Sequence, residues 1–146
     1  MQIIYSNWDP ETHVSTVRVR TKYGVHEASV VTDPEDYDIE NQWDGCALAF
    51  FKCKLKAKKA EYKRLYERYV ATEHILNVYA ADHGYIDREE FIHEANTTGW
   101  LSHQAQIAKR DYAVAREQYF KGKSQYKELM EARLQSRRDI RDKIAD

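Results

Sequence analysis

The stretch Ala108-Lys109-Arg110-Asp111-Tyr112-Ala113-Val114-Ala115-Arg116-Glu117-Gln118-Tyr119-Phe120-Lys121-Gly122-Lys123-Ser124-Gln125-Tyr126 decides how the last third of this chain folds. Tyr112, Tyr119 and Tyr126 recur at seven-residue spacing, and Ala108, Ala115 and Gly122 each stand four residues before one of them. Leu101 and Ala105 extend the alternation of four and three backwards, and Leu129 extends it forwards. A period of about 3.5 residues keeps all of these side chains on one helical stripe, the mark of a seam between two helices. Alternating small and large residues let two helices approach closely, while each phenol needs a polar partner for its hydroxyl. The stripe therefore reads either as a close-packed helix pair or as the lining of a polar, aromatic ligand site.

The partner helix lies upstream. Leu48, Phe51, Leu55, Tyr62, Tyr66, Tyr69 and Leu76 fall on one helical face, and Lys52, Lys54, Lys56, Lys58 and Lys59 crowd its first half. Lysine stems can cover apolar surface while their ammonium groups stay hydrated. This helix is expected over residues 41–81, stopped by Asp82-His83-Gly84. Residues 82–100 form a polar connection in which Asp87 and Glu90 resemble a capping box, so a short helix near 88–95 is expected there. Ser102 or Thr98 can cap the final helix, expected over 101–146, whose charged end from Arg133 onward loses the apolar stripe and either frays or pairs with another chain.

Residues 1–40 alternate with period two. Ile3-Ile4-Tyr5 is a short strand ended by Asn7-Trp8-Asp9-Pro10. His13 to Tyr23 places Val17, Val19 and Thr21 on one face and Thr16, Arg18, Arg20 and Lys22 on the other, Gly24 turns the chain, and Val25 to Val31 returns. The reading is α+β: a single domain with an N-terminal three-stranded antiparallel β-meander, followed by two long antiparallel α-helices with a short helix in the connection.

The net charge of −1 is unevenly spread. Residues 1–45 carry 3 basic and 9 acidic side chains, 46–81 carry 8 and 3, 82–100 carry 1 and 5, and 101–146 carry 11 and 7. Both long helices are basic and both other regions acidic. That pattern fits solvated helix faces, an anion-binding cleft between basic helices, or association of unlike ends. Helices of about 40 residues run about 60 Å, more than a short meander can cover, so a second copy is expected and the protein should be a dimer or higher oligomer. The tyrosine stripe is expected to serve that assembly.

Cys46 and Cys53 are seven residues apart on one helix, about 10 Å and too far to bridge; they read as small buried apolar residues. Met1-Gln2-Ile3-Ile4 has no charged leader region and the chain has no long apolar run, so a cytoplasmic protein without membrane attachment is expected.

The sequence carries no catalytic or metal-binding signature. His13, His26, His74, His83, His93 and His103 form no metal-ligand spacing, neither cysteine has a CxxC partner, and the five glycines build no phosphate loop. No nucleophile motif stands out, so no enzyme, no cofactor and no metal are expected. Recognition of an anionic nucleotide asks for less: a few arginine or lysine donors for a pyrophosphate, an aromatic face for a base, polar groups for ribose. On that chemistry the candidate ligand-binding residues are Arg18, Arg20 and Lys22 from the strand, Tyr85 and Asn96 from the connection, and Arg110, Arg133 and Arg137 from the final helix. Two other functions stay open: a helical-hairpin module that docks on and inhibits a host protein, and nucleic-acid binding through the lysine run and tyrosines.

One block carries a resemblance. Val14-Ser15-Thr16-Val17-Arg18-Val19-Arg20-Thr21-Lys22-Tyr23-Gly24 precedes the returning strand, then Asp33-Pro34-Glu35-Asp36-Tyr37-Asp38, then Gly45-Cys46-Ala47-Leu48-Ala49 opening the lysine-rich helix. In order and spacing this resembles the first family of phage Thoeris anti-defence proteins, the cyclic ADP-ribose sponges, over residues 3–60. Phe50 and Lys52 stand where that pattern has an acidic residue and an arginine. The resemblance implies a non-enzymatic phage protein in the cytoplasm of an infected bacterium. Such a protein sequesters the cyclic ADP-ribose isomer made by a TIR-domain defence enzyme, so that the immune effector stays silent. It also implies a homo-oligomer with pockets where strands and helices of neighbouring protomers meet, and in some members a second site for cyclic oligonucleotides.

Overall fold

The computed structural model describes residues 1–39, 42–82 and 100–145. Strands β1 (Gln2–Asp9), β2 (Val14–Thr21) and β3 (Gly24–Val31) form an antiparallel sheet in the order β1-β2-β3. A 3-10 turn, Pro34–Ile39, leads to helix α1 (Gln42–Asp82), and helix α2 spans Trp100–Ala145. This is the α+β meander-plus-two-helices architecture expected from the sequence. The short helix expected near 88–95 lies outside the described residues.

Two local expectations in the sheet are corrected. β1 does not end at Tyr5. It continues through Asn7 and Trp8 to Asp9, because Thr16, Ser15 and Val14 of β2 pair with those three residues. The chain reverses over residues 10–13 instead. There Asp9 Oδ1 accepts from the Glu11 amide at 2.9 Å, the His13 amide donates to Asp9 O at 2.8 Å, and His13 takes the left-handed φ of 57°. At the second hairpin the reversal falls on Lys22-Tyr23, and Gly24 already pairs with Thr21 as the first residue of β3. Gly24 has φ 121°, a value that favours glycine. Thr21 Oγ1 fixes this turn by accepting from the Tyr23 amide at 3.1 Å.

The described chain groups into two compact units, Met1–Lys58 with Tyr119–Asp146, and Lys59–Gln118. In the first, period-two alternation puts Ser15, Val17 and Val19 of β2 inward, each 1 % exposed or less, with Ala28 beside them on β3. Ala49 and Cys53 of α1 close this core, with Cys46, Phe50 and Val30 packed at its margin. The approach is tight. A Cβ on Gly45 would stand 2.1 Å from Ser15 Oγ and 3.0 Å from Ser15 Cβ, so only glycine lets the start of α1 lie on β2. Polar contacts fasten the same junction: the Cys53 thiol donates to Val17 O at 3.0 Å, and Lys56 Nζ donates to Glu27 O at 2.6 Å. The cysteines are reduced, Cys53 buried and Cys46 half-buried, as their spacing predicted.

Another face of α1 in this unit meets α2. The Phe51 and Tyr126 rings lie 5.7 Å apart, and a Cβ on Gly122 would come within 2.9 Å of Leu55 Cδ2. Partner numbers fall on α2 as they rise on α1, so the helices run antiparallel. In the second unit Tyr112 sits among Tyr62, Tyr66 and Tyr69 at ring-centroid distances of 6.2, 5.0 and 5.9 Å, the last pair stacked. Leu76, Ala80, Ala105, Ala108 and Ala115 are buried there. The rings that meet Tyr112 and Tyr126 belong to α1 of the same chain, which fits the close-packed helix-pair reading of the stripe. Among the described residues no helix is long and apolar enough to cross a membrane.

Candidate anion-binding site

The end of α2 carries Arg133, Arg137 and Arg141 at intervals of four, which stacks their guanidinium groups along one helical face. This face does not fray. α2 stays helical to Ala145, and the arginines meet the connection between β3 and α1. The Pro34–Ile39 turn presents Asp36, a buried acidic residue whose side chain is only 7 % exposed. Arg137 Nη1 donates to Asp36 Oδ2 at 3.0 Å, and Arg141 Nη2 donates to Asp36 Oδ1. Arg133 Nη1 stands 3.7 Å from Asp44 Oδ1, close enough for an ion pair but too long for a hydrogen bond. The turn is held on its other side by a flat stack of Tyr37 on His13, with ring centroids 3.6 Å apart. Its backbone closes through the Asp36 amide on Asp33 O at 2.8 Å.

Guanidinium donors are concentrated here. Among the described residues Arg133 meets mostly exposed Asp44, Arg137 meets Asp36, and each guanidinium offers five N–H donors. Arg133 Nε is buried and has no hydrogen-bond partner among the described residues. A buried donor without a partner costs about 1–3 kcal/mol, so the site favours an acceptor that can reach it. About two turns earlier on α2, burial raises the Tyr126 hydroxyl pKa above its ordinary value, while the positive charge of Arg133 pulls it back. Chemically, the clustered guanidinium groups suit an anion. Among the described residues no group of His, Cys, Asp or Glu could hold a metal ion.

The residues expected at a site are distributed unequally. Arg133 and Arg137 come together as described. Arg18 lies on the sheet face opposite α1, where its Nε and Nη2 donate to Glu27 Oε2 at 2.9 and 2.6 Å and its guanidinium lies 5.6 Å from the Tyr5 ring centroid. Arg20 is exposed on that same outward face, and Lys22 is in the hairpin turn with Nζ 5.7 Å from the Tyr23 ring centroid. Within this unit the sheet thus separates Arg18 and Arg20 from Arg133 and Arg137. Arg110 is exposed on α2 in the other unit, and Tyr85 and Asn96 lie outside the described residues. Sequence reasoning missed Arg141 and Asp36 as members of the cluster. Arg141 was detectable as the next step in the interval of four, and Asp36 as the acid of the Pro34-Glu35-Asp36 box. Comparison with known protein families, with curated proteins and with solved structures finds no match.

Proposed function

We propose that this protein binds and sequesters a cyclic ADP-ribose-type signalling nucleotide without cleaving it, and does so as a homo-oligomer in the cytoplasm of an infected bacterial cell. The observation that carries the reading is the Arg133–Arg137–Arg141 stripe, which gathers three guanidinium groups on one helical face and includes, at Arg133 Nε, a buried N–H without a partner among the described residues. Arginine forks match pyrophosphate oxygens in geometry and charge. The sequence block that resembles the cyclic ADP-ribose sponges supplies Asp36 and Gly45, two residues that shape this end of the molecule, and so agrees with the same reading. Exposed Ile3, Ile4 and Tyr5 on β1, and Val70, Ile75 and Val78 on α1, offer apolar surface for assembly.

The test is direct. The protein is incubated with cyclic ADP-ribose isomers, washed, and heated, and the released small molecule is identified by mass spectrometry. An unchanged isomer should be recovered, and ligand at about 100 times its Kd should stabilise the fold by about 2.7 kcal/mol. Failure of every isomer to raise Tm or to be recovered rejects the proposal, and a protein partner in pull-down with indifference to nucleotides would favour an inhibitory docking module instead.

A further inference from the structure

The candidate site already contains an anion of the protein's own. Asp36 has a side chain only 7 % exposed, and its two carboxylate oxygens are each met by a different arginine. We propose that Asp36 is a built-in competitor: its carboxylate occupies Arg137 and Arg141 while no ligand is present, and an entering phosphate group displaces it. Capture of the ligand is thereby coupled to release of the Pro34–Ile39 turn. The inference rests on the anion-binding reading above and adds a mechanism to it.

Chemistry makes the exchange plausible in both directions. Carboxylate and phosphate oxygens compete for the same guanidinium donors, and a phosphate offers more oxygens and more charge. Geometry favours it too. Arg137 meets Asp36 through Nη1 alone, not through the two-point fork that an arginine makes with its best acceptors. The side chains of Arg137 and Arg141 are 24 % and 40 % exposed, so a ligand can approach them from solvent while Asp36 lies behind them. Removing the Asp36 carboxylate without replacing it would take from Arg137 the acceptor its Nη1 meets. The turn that carries Asp36 is short, its backbone closes through the Asp36 amide on Asp33 O, and Tyr37 stacks on His13.

A purely structural Asp36 makes the opposite prediction, because it would orient Arg137 and Arg141 for the ligand and remain in place. Inorganic pyrophosphate and ADP-ribose are titrated into the wild-type protein, Asp36→Asn and Arg137→Gln, with folding of each variant checked by circular dichroism. Asp36→Asn should bind both probes more tightly by about tenfold, and Arg137→Gln should weaken both. On the wild-type protein, saturating pyrophosphate should speed amide hydrogen exchange within residues 34–39, a readout that stands even where Asp36→Asn fails to fold. Equal or weaker binding by folded Asp36→Asn, or slower exchange in the turn on ligand addition, overturns the proposal while wild-type binding keeps the anion site. Absence of binding by the wild-type protein to either probe rejects both.

Discussion

The unit built from Met1–Lys58 and Tyr119–Asp146 and the unit built from Lys59–Gln118 use the same two helices but hold them with different chemistry. In the first, α1 must serve two neighbours, a sheet and a helix. It lies on the sheet through Gly45, Cys46, Ala49 and Cys53, residues small enough for backbone to approach backbone, and turns Phe51 and Leu55 toward α2. In the second no strand is present among the described residues, and the helices fill their seam with Tyr62, Tyr66, Tyr69 and Tyr112 over a floor of alanines. Small residues give close approach where a sheet must be covered. Large aromatic ones give bulk where it is absent. The buried charge follows the same division, since Asp36 with Arg137 and Arg141 belongs to the sheet-bearing unit alone among the described residues.

The comparison can be broken at several points. The largest loss should come from Leu76→Ala, which empties a fully buried position in the Lys59–Gln118 unit and should cost about 2–5 kcal/mol in chemical denaturation. Gly45→Ala should cost about 1–3 kcal/mol by forcing a Cβ into Ser15. The same exchange at Gly122 should cost less, because the atom met there ends a Leu55 side chain that can turn aside and alanine is the better helix former. Tyr112→Leu keeps the apolar volume and removes the ring contacts, for about 0.5–1.5 kcal/mol.

Two titrations sharpen the picture of the sheet-bearing unit with smaller effects. Burial raises the Cys53 thiol pKa, so its thiolate is scarce, and a thiol reagent applied to native protein should label half-buried Cys46 first and Cys53 only on unfolding. Asp9 is shifted the other way, held below the usual carboxylate value chiefly by the Glu11 amide and then by Thr12. A depressed folded-state pKa contributes stability above the unfolded value of about 3.9, and loses it as pH falls through the folded one. Wild-type protein should therefore lose its advantage over Asp9→Asn below about pH 4, measured as the difference between two acid-unfolding curves.

What could be read from sequence divides along physical lines. The 3.5-residue tyrosine stripe and the Val17–Val19 alternation each repeat over many residues, and both elements formed as their periods require. β1 was read too short because Asn7 and Trp8 have turn-like composition, and only their partners on β2 reveal that they are strand. At the candidate site Arg133 and Arg137 were legible as a cationic stripe. The carboxylate between Arg137 and Arg141 was not, because Asp36 lies 101 and 105 positions away along the chain and no local pattern links it to them. Arg18 and Arg20 were grouped with the site by charge, but strand alternation sends them to the face that α1 does not cover.

The central claim is that the α2 arginine stripe captures a nucleotide phosphate, and Arg133 tests it with least risk to the fold, because its carboxylate contact is a long one to exposed Asp44. Isothermal titration of a cyclic ADP-ribose isomer into wild-type protein and Arg133→Gln is the measurement. Binding by the wild type, weakened by about tenfold or more in Arg133→Gln at unchanged Tm of the unliganded protein, is the result predicted. Equal affinity in the two proteins, or no binding by the wild type to any isomer, would contradict it.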